Sequence, residues 1–180
     1  MINNYSIAKN VKIYDLAKII SNGNNFSIDE YSQVDDFVFI NAGIQTSIGK
    51  FVHISSFTSI IGGGELYMED FSGLSAGCRI ITGSDDFSGP YLSNPTVPAK
   101  YKNVKSGIIN IGKHAIIGSN AIILPNITIG EGATVGAGGI VAKDLEPWSI
   151  YIGYNPKKVG ERDQNGIIDL ERKLRKEFGL

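Results

Sequence analysis

The stretch Ile111 to Leu145, IGKHAIIGSNAIILPNITIGEGATVGAGGIVAKDL, carries an aliphatic residue at every sixth position. Ile111, Ile117, Ile123, Ile129, Val135 and Val141 follow one another without a miss, and Ala115, Ala121, Ile127, Ala133 and Gly139 stand four places after the first five. A helix repeats near 3.6 residues and a strand near 2, so neither alone generates a period of six. A hexapeptide β-helix does, because each six-residue unit is one short strand and a bend. Gly112, Gly118, Gly130 and Gly136, directly after the aliphatic, suit the bend.

The same register extends upstream in triplets: Ile28, Val34, Ile40; Ile48, Ile54, Ile60; Met68, Leu74, Ile80. Between triplets the step is eight residues, so one corner of every turn carries an insertion and each turn has three flat faces. The expected fold is an all-β solenoid, a parallel β-helix of about five triangular coils. Its grid residues point inward, each worth roughly 1.5–3 kcal/mol by transfer.

Three segments leave the grid. Residues 1–27 place Ile13, Leu16, Ala17 and Ile20 at helical spacing before Asn22-Gly23, and are expected to form a short helix capping the first coil. The grid then spans 28–162. Residues 163–180 read as an amphipathic helix, with Ile167, Leu170, Leu174 and Phe178 on one stripe and Arg172, Lys173, Arg175 and Lys176 elsewhere. Between Ile80 and Ile111 the next grid position comes 31 residues on instead of six, so residues 85–109 are expected outside the prism. A long excursion within a regular repeat is functional more often than not. Phe87, Tyr91, Val97, Tyr101 and Val104 give this one apolar surface to wall a site, or to reach a neighbouring subunit.

Bulk properties narrow the function classes. The 180 residues suit one domain, and 17 basic against 18 acidic residues give no support to nucleic-acid binding. No apolar run approaches a membrane span and no signal sequence opens the chain, so the default address is cytoplasmic. Cys78 is single, at a small inward position, and reads as packing.

Ile111 to Arg162 resembles the hexapeptide-repeat acyltransferases, notably the galactoside, maltose and chloramphenicol-type acetyltransferases and those of surface-polysaccharide synthesis. Val141-Ala142-Lys143-Asp144, followed by Gly153 to Val159, is similar to their closing motif. The resemblance implies a left-handed β-helix and a homotrimer with active sites between prisms. It also implies coenzyme A, as acetyl-CoA, for the acyl donor, and no metal. Gly118, Ser119, Ala137 and Gly138 match positions that meet the pantetheine arm, while Lys143, Lys157, Lys158 and Arg162 match or form cations for the cofactor phosphates.

Acyl transfer to a hydroxyl needs a base, an oxyanion site and a cradle for the cofactor. In galactoside-type enzymes the base is a His at the start of the long loop. Asp85 stands there in this chain, and Ser55 stands where the family has an Asn that assists at the acceptor. Asp85 is a base if Asp86 beside it or burial raises its pKa, a partner for sugar hydroxyls together with Asp86, or only turn chemistry. Two histidines exist, and His53 near Ser55 or His114 after the loop could supply the working imidazole.

The leading expectation is O-acetyl transfer from acetyl-CoA to a sugar hydroxyl in surface-polysaccharide synthesis. The alternative is N-acetyl transfer to an amino-sugar nucleotide, where an amine attacks directly and a weak proton acceptor suffices. A zinc enzyme on this prism would need three His, and a purely structural solenoid should show Thr ladders rather than mixed outward positions.

Overall fold

The computed structural model describes residues 5–21 and 25–180. The chain winds as a three-sided parallel β-solenoid. One face stacks strands Tyr5–Ile7, Asn25–Ile28, Gln45–Ile48, Glu65–Met68, Ile108–Ile111 and Ile127–Ile129. A second stacks Lys12–Ile13, Gln33–Val34, His53–Ile54, Gly73–Leu74, Ile116–Ile117, Thr134–Val135 and Ser149–Ile152, and Lys157–Glu161 closes it antiparallel. The third carries Lys18–Ile20, Phe39–Asn41, Ser59–Ile61, Arg79–Ile81, Ile122–Ile123 and Ile140–Val141.

The grid is the register of these faces. Val34, Ile54, Leu74, Ile117 and Val135 are direct partners from coil to coil, as are Ile40, Ile60, Ile80, Ile123 and Val141. The fifteen grid residues are at most 3% exposed, so inward columns of branched aliphatics form the core. Cys78 is fully buried among them. Burial pushes its thiol up to about 11, which suits packing and not reactivity.

The coil count is larger than expected, with six complete turns and part of a seventh. Residues 5–20 form no helix but a complete first coil, and Ile7, Ile13 and Ile19 pair with Ile28, Val34 and Ile40. Their spacing is again six. The helical look arose because a hexapeptide unit also turns inward at its fifth residue, so Ile13 and Ala17 mimic one helical turn. Asn22-Gly23, read as a helix stop, lies outside the described residues.

The excursion is also shifted upstream of the expected 85–109. It leaves through a small antiparallel ribbon, Gly83–Asp85 against Val104–Ser106, and Ile108 and Ile109 are already back on the first face, paired with Glu65 and Leu66.

Corners are left-handed turns, and many are not glycine. Tyr31, Phe51, Phe71, His114 and Trp148 all hold φ between 55° and 64° along one edge. The rings stack: Tyr31 on Phe51 at 4.9 Å, Phe51 on Phe71 at 4.9 Å, and Phe71 on His114 at 5.1 Å. A left-handed non-glycine residue costs roughly 1–2 kcal/mol, and stacked aromatic pairs return about 0.5–1.5 kcal/mol each beyond their buried area.

The C-terminal helix, Gln164–Phe178, lies along this edge, begun by the Asp163 carboxylate accepting from Gly166 N at 3.0 Å. Phe178 packs edge-on against Tyr31 and Phe51. The expected stripe is altered at its centre: Leu170 is 66% exposed, and buried Glu171 points inward in its place. Arg175 also leaves the expected solvated side, its guanidinium over the Phe71 ring and 2.6 Å from Asp70. Trp148 packs at the end of the column, while Tyr154 is 71% exposed.

Candidate active site

Alternation on strand His53–Ile54 turns Ile54 into the core and His53 outward on the second face. Its Nε2 lies 2.9 Å from Asp35 Oδ2. Asp35 follows Val34 as Ser55 follows Ile54 and Ser75 follows Leu74, so the three stand in one column, one coil apart. Gln33 Nε2 donates to Asp35 Oδ1 at 2.7 Å. Partial burial pushes the Asp35 carboxyl up, but hydrogen bonds from Gln33, His53 and Ser55 outweigh it and hold it below the usual carboxylate range. An open cleft of 470 Å³ runs beside the imidazole, lined by His53, Ser55, Ser75 and Ser119 with the Phe51 and Phe71 rings at one side. It is a track of hydroxyls with one imidazole, suited to orienting a polyhydroxylated ligand and taking one proton.

Sequence reasoning missed Asp35. The signal was the twenty-residue coil: Asp35, Ser55 and Ser75 are spaced by 20, as are Gln33, His53 and Gly73.

The other acidic candidates hold the excursion together. Asp86 Oδ1 accepts from Ser88 N, Ser88 Oγ and Gly89 N, and its Oδ2 from Asn103 Nδ2 and Lys105 Nζ. The two Ser88 bonds, with Lys105, hold its carboxyl far below the ordinary carboxylate range. An acid so saturated from within organises the loop, which is a task beyond the substrate contact expected of Asp86. Asp85 Oδ2 accepts from Asn94 N at 2.8 Å, with Lys102 Nζ 4.0 Å from Oδ1, so it pins the far arm of the excursion to its root.

His114 is placed differently from His53. It is buried under the C-terminal helix, with Nε2 2.7 Å from Glu171 Oε2 and its ring against Phe71. In this position it clasps the helix, apart from the cleft beside His53 where the working imidazole was expected.

Of the residues expected to hold a cofactor, Gly118, Ser119, Ala137 and Gly138 share one corner, where Gly138 N donates to Ser119 O at 2.8 Å. Gly138 has φ +70° and open space where a Cβ would stand, whereas a Cβ on Gly118 would come 2.6 Å from Ala137 N. At Gly138 the corner therefore carries no side chain, so a slender chain can approach its backbone closely. Lys143 and Lys157 line a 300 Å³ cavity with Val141, Leu145, Asn155 and Pro156. The remaining two cations stand apart from that cluster. Lys158 pairs with Glu146 and Glu161, and Arg162 donates to the His114 and Gly132 carbonyls at 2.7 and 3.0 Å.

No family model matches the sequence. Over 167 residues the chain is 37% identical to the dTDP-4-amino-4,6-dideoxy-D-glucose acyltransferase of Escherichia coli, covering 92% of this chain and 86% of that enzyme. The chain belongs to the hexapeptide-repeat acyltransferases. This acyltransferase is also 39% identical to AntD, an N-acyltransferase from Bacillus cereus solved with dTDP and 3-hydroxybutyryl-CoA, with a TM-score of 0.88 over 97% of this chain and 92% of that one. A maltose O-acetyltransferase from Clostridium difficile 630 shares the fold at 17% identity and a TM-score of 0.60, over 89% of this chain and 72% of its own. No helix of the acyltransferase's described residues is long and apolar enough to cross a membrane.

Proposed function

We propose that the protein transfers an acyl group from a coenzyme A thioester to the amino group of a dTDP-linked amino sugar. One observation carries the reading: near-full-length identity of 37–39% to two enzymes whose names or ligands join an acyl donor to such sugars. A form of AntD has been solved with dTDP-4-amino-4,6-dideoxyglucose and coenzyme A together. This displaces transfer to a sugar hydroxyl in polysaccharide synthesis, the leading expectation from sequence, because the O-acetyltransferase among the relatives matches only at the level of fold.

A second observation supports it. Solved forms of AntD include variants at a serine and at an aspartate ten positions later. Ser75 and Asp85 are the only serine and aspartate in this chain with that separation and order.

The thioester supplies an electrophilic carbonyl and a thiol leaving group. In our reading the corner of Gly118, Ser119, Ala137 and Gly138 accommodates its pantetheine arm, and Lys143 and Lys157 meet its phosphates. Ser55 and Ser75 orient the sugar while Asp85 fixes the excursion over it. The neutral amine attacks through its lone pair and must shed one proton as the C–N bond forms, and His53 is the group in the cleft placed to receive that proton. We further assign a homotrimer, in which a second prism would close the open side of the cleft.

Thiol release, followed with an acyl-CoA and a panel of dTDP-linked 4-amino sugars, simple amino sugars and hydroxyl-only sugars, tests the reading. Release is expected with the dTDP-linked amines. Release with hydroxyl-only sugars at equal or greater rate would restore O-acylation.

A further inference from the structure

We propose that Asp35 is a positioning residue for His53, directing the imidazole so that Nδ1 is the nitrogen that accepts the substrate proton. The inference rests on the reading of His53 as proton acceptor and goes beyond it, since it names the nitrogen and the residue that selects it.

The geometry gives each partner one arrangement. An ionised carboxylate only accepts hydrogen bonds, so the ring nitrogen 2.9 Å from Asp35 Oδ2 is the one that carries the hydrogen. That nitrogen is Nε2, and the neutral ring then offers its lone pair at Nδ1. Asp35 is itself held, with Gln33 Nε2 at 2.7 Å on its other oxygen. The hydrogen bonds keep it ionised, as its low-lying carboxyl reflects. The imidazole needs such a guide because its side chain is 52% exposed and stands on an outer face where little packing fixes χ2. The lining residues of the cleft beside His53 include no other charged side chain.

The step balances as follows. The amine's lone pair forms a C–N bond to the acyl carbon, the C–S bond breaks, one amine proton passes to Nδ1, and the imidazolium returns that proton to the departing thiolate. Nothing is oxidised or reduced. During the interval the imidazolium and the Asp35 carboxylate form an ion pair one coil apart.

The test combines spectroscopy with kinetics on the full chain. In 15N-detected histidine spectra of the resting protein, His53 should show a protonated-type Nε2 and an unprotonated-type Nδ1. Asp35→Asn should disturb that pattern, because an amide can donate to Nε2 and so favour hydrogen on Nδ1. With the dTDP-linked amino sugar, Asp35→Ala should lower kcat about tenfold and leave both KM values within about twofold, a small share of the 10²–10⁴ that a positioned base supplies. Asp35→Asn should be slower than Asp35→Ala, Asp35→Glu should recover part of the rate, and His53→Ala/Asp35→Ala should be no slower than His53→Ala.

Hydrogen on Nδ1 in the resting protein overturns the proposal. So does an unchanged kcat in Asp35→Ala alongside an impaired His53→Ala. The spectra need no substrate, which separates the two readings. The expected tautomer, its loss in Asp35→Asn and no turnover of amino sugars would support Asp35 as the guide while sinking the proposed reaction.

Discussion

Glu171→Gln should loosen the C-terminal helix without unwinding the prism. Glu171 is the buried centre of the helix's inward face, with Lys113 Nζ at 2.7 Å, Arg175 Nε at 2.5 Å and His114 Nε2 at 2.7 Å. Burial pushes its carboxyl up, but hydrogen bonds from Lys113, Arg175 and His114 overcome that and bring it from 4.5 down to about 2. A carboxyl depressed in the folded state stabilises above its unfolded pKa and loses that contribution as pH falls through the folded one. The window therefore runs from about pH 4.5 down to about pH 2. A shift of that size caps the contribution near 3 kcal/mol, by about 1.36 kcal/mol per unit. The side chains of Lys113 and Arg175 are 31% and 28% exposed, so water partly replaces the lost partner. About 1–2 kcal/mol remains after that screening. Hydrogen exchange of the amides in 164–178 reads the change directly, as a roughly 5- to 30-fold acceleration at neutral pH. The same helix in the native chain should lose its protection between pH 4.5 and 2, while the Gln variant shows no such step. Equal exchange in both proteins at pH 7 would refute the assignment of Glu171 as the latch.

Lys143→Ala and Lys157→Ala should each raise the KM for the acyl-CoA about 3- to 10-fold at low salt with little change in kcat, as for an exposed cation meeting a phosphate, and the effect should shrink as salt is added. Lys158→Ala, whose lysine is already paired with two glutamates, should change the same constant far less. Asp86→Asn replaces an acceptor of five hydrogen bonds with a group that must turn a donor toward Lys105 or Asn103. Limited proteolysis within 87–103 should then become several-fold faster, a cost of about 1–3 kcal/mol for a broken buried network. Ile54→Ala removes a fully buried grid residue from the middle of its column and should destabilise the chain by about 2–5 kcal/mol in urea unfolding.

What the sequence made legible was whatever repeats. Residues 111–141 carry the six-residue period so cleanly that strand positions and inward columns follow from it, and the eight-residue steps from 40 to 48 and 60 to 68 add the three-sided coil. The first coil was hidden because Ile13 was read with Leu16, Ala17 and Ile20 as a helix, and not with Ile7 and Ile19 at steps of six; one unit's two inward positions imitate a helix turn. Corners were expected to need glycine, and the aromatic edge was therefore invisible: Phe51 and Phe71 accept left-handed backbone because stacking on the neighbouring coil compensates for it. His53 could be placed near Ser55 from the strand alone. Asp35 could not be seen with it until the twenty-residue coil was laid over the chain, because contacts between coils join residues far apart in sequence. The tasks of Asp86, His114, Arg162 and Glu171 depend on where the excursion and the last helix fold back, which no period encodes.

The central claim is that the acyl group ends on nitrogen. Incubating the protein with a [1-13C]acetyl thioester of coenzyme A and a dTDP-linked 4-amino sugar labelled with 15N tests it at the bond in question. The account predicts a product carbonyl split by one-bond 13C–15N coupling, with one equivalent of free thiol. An uncoupled ester carbonyl, or a thioester left intact beside the amine, would contradict it.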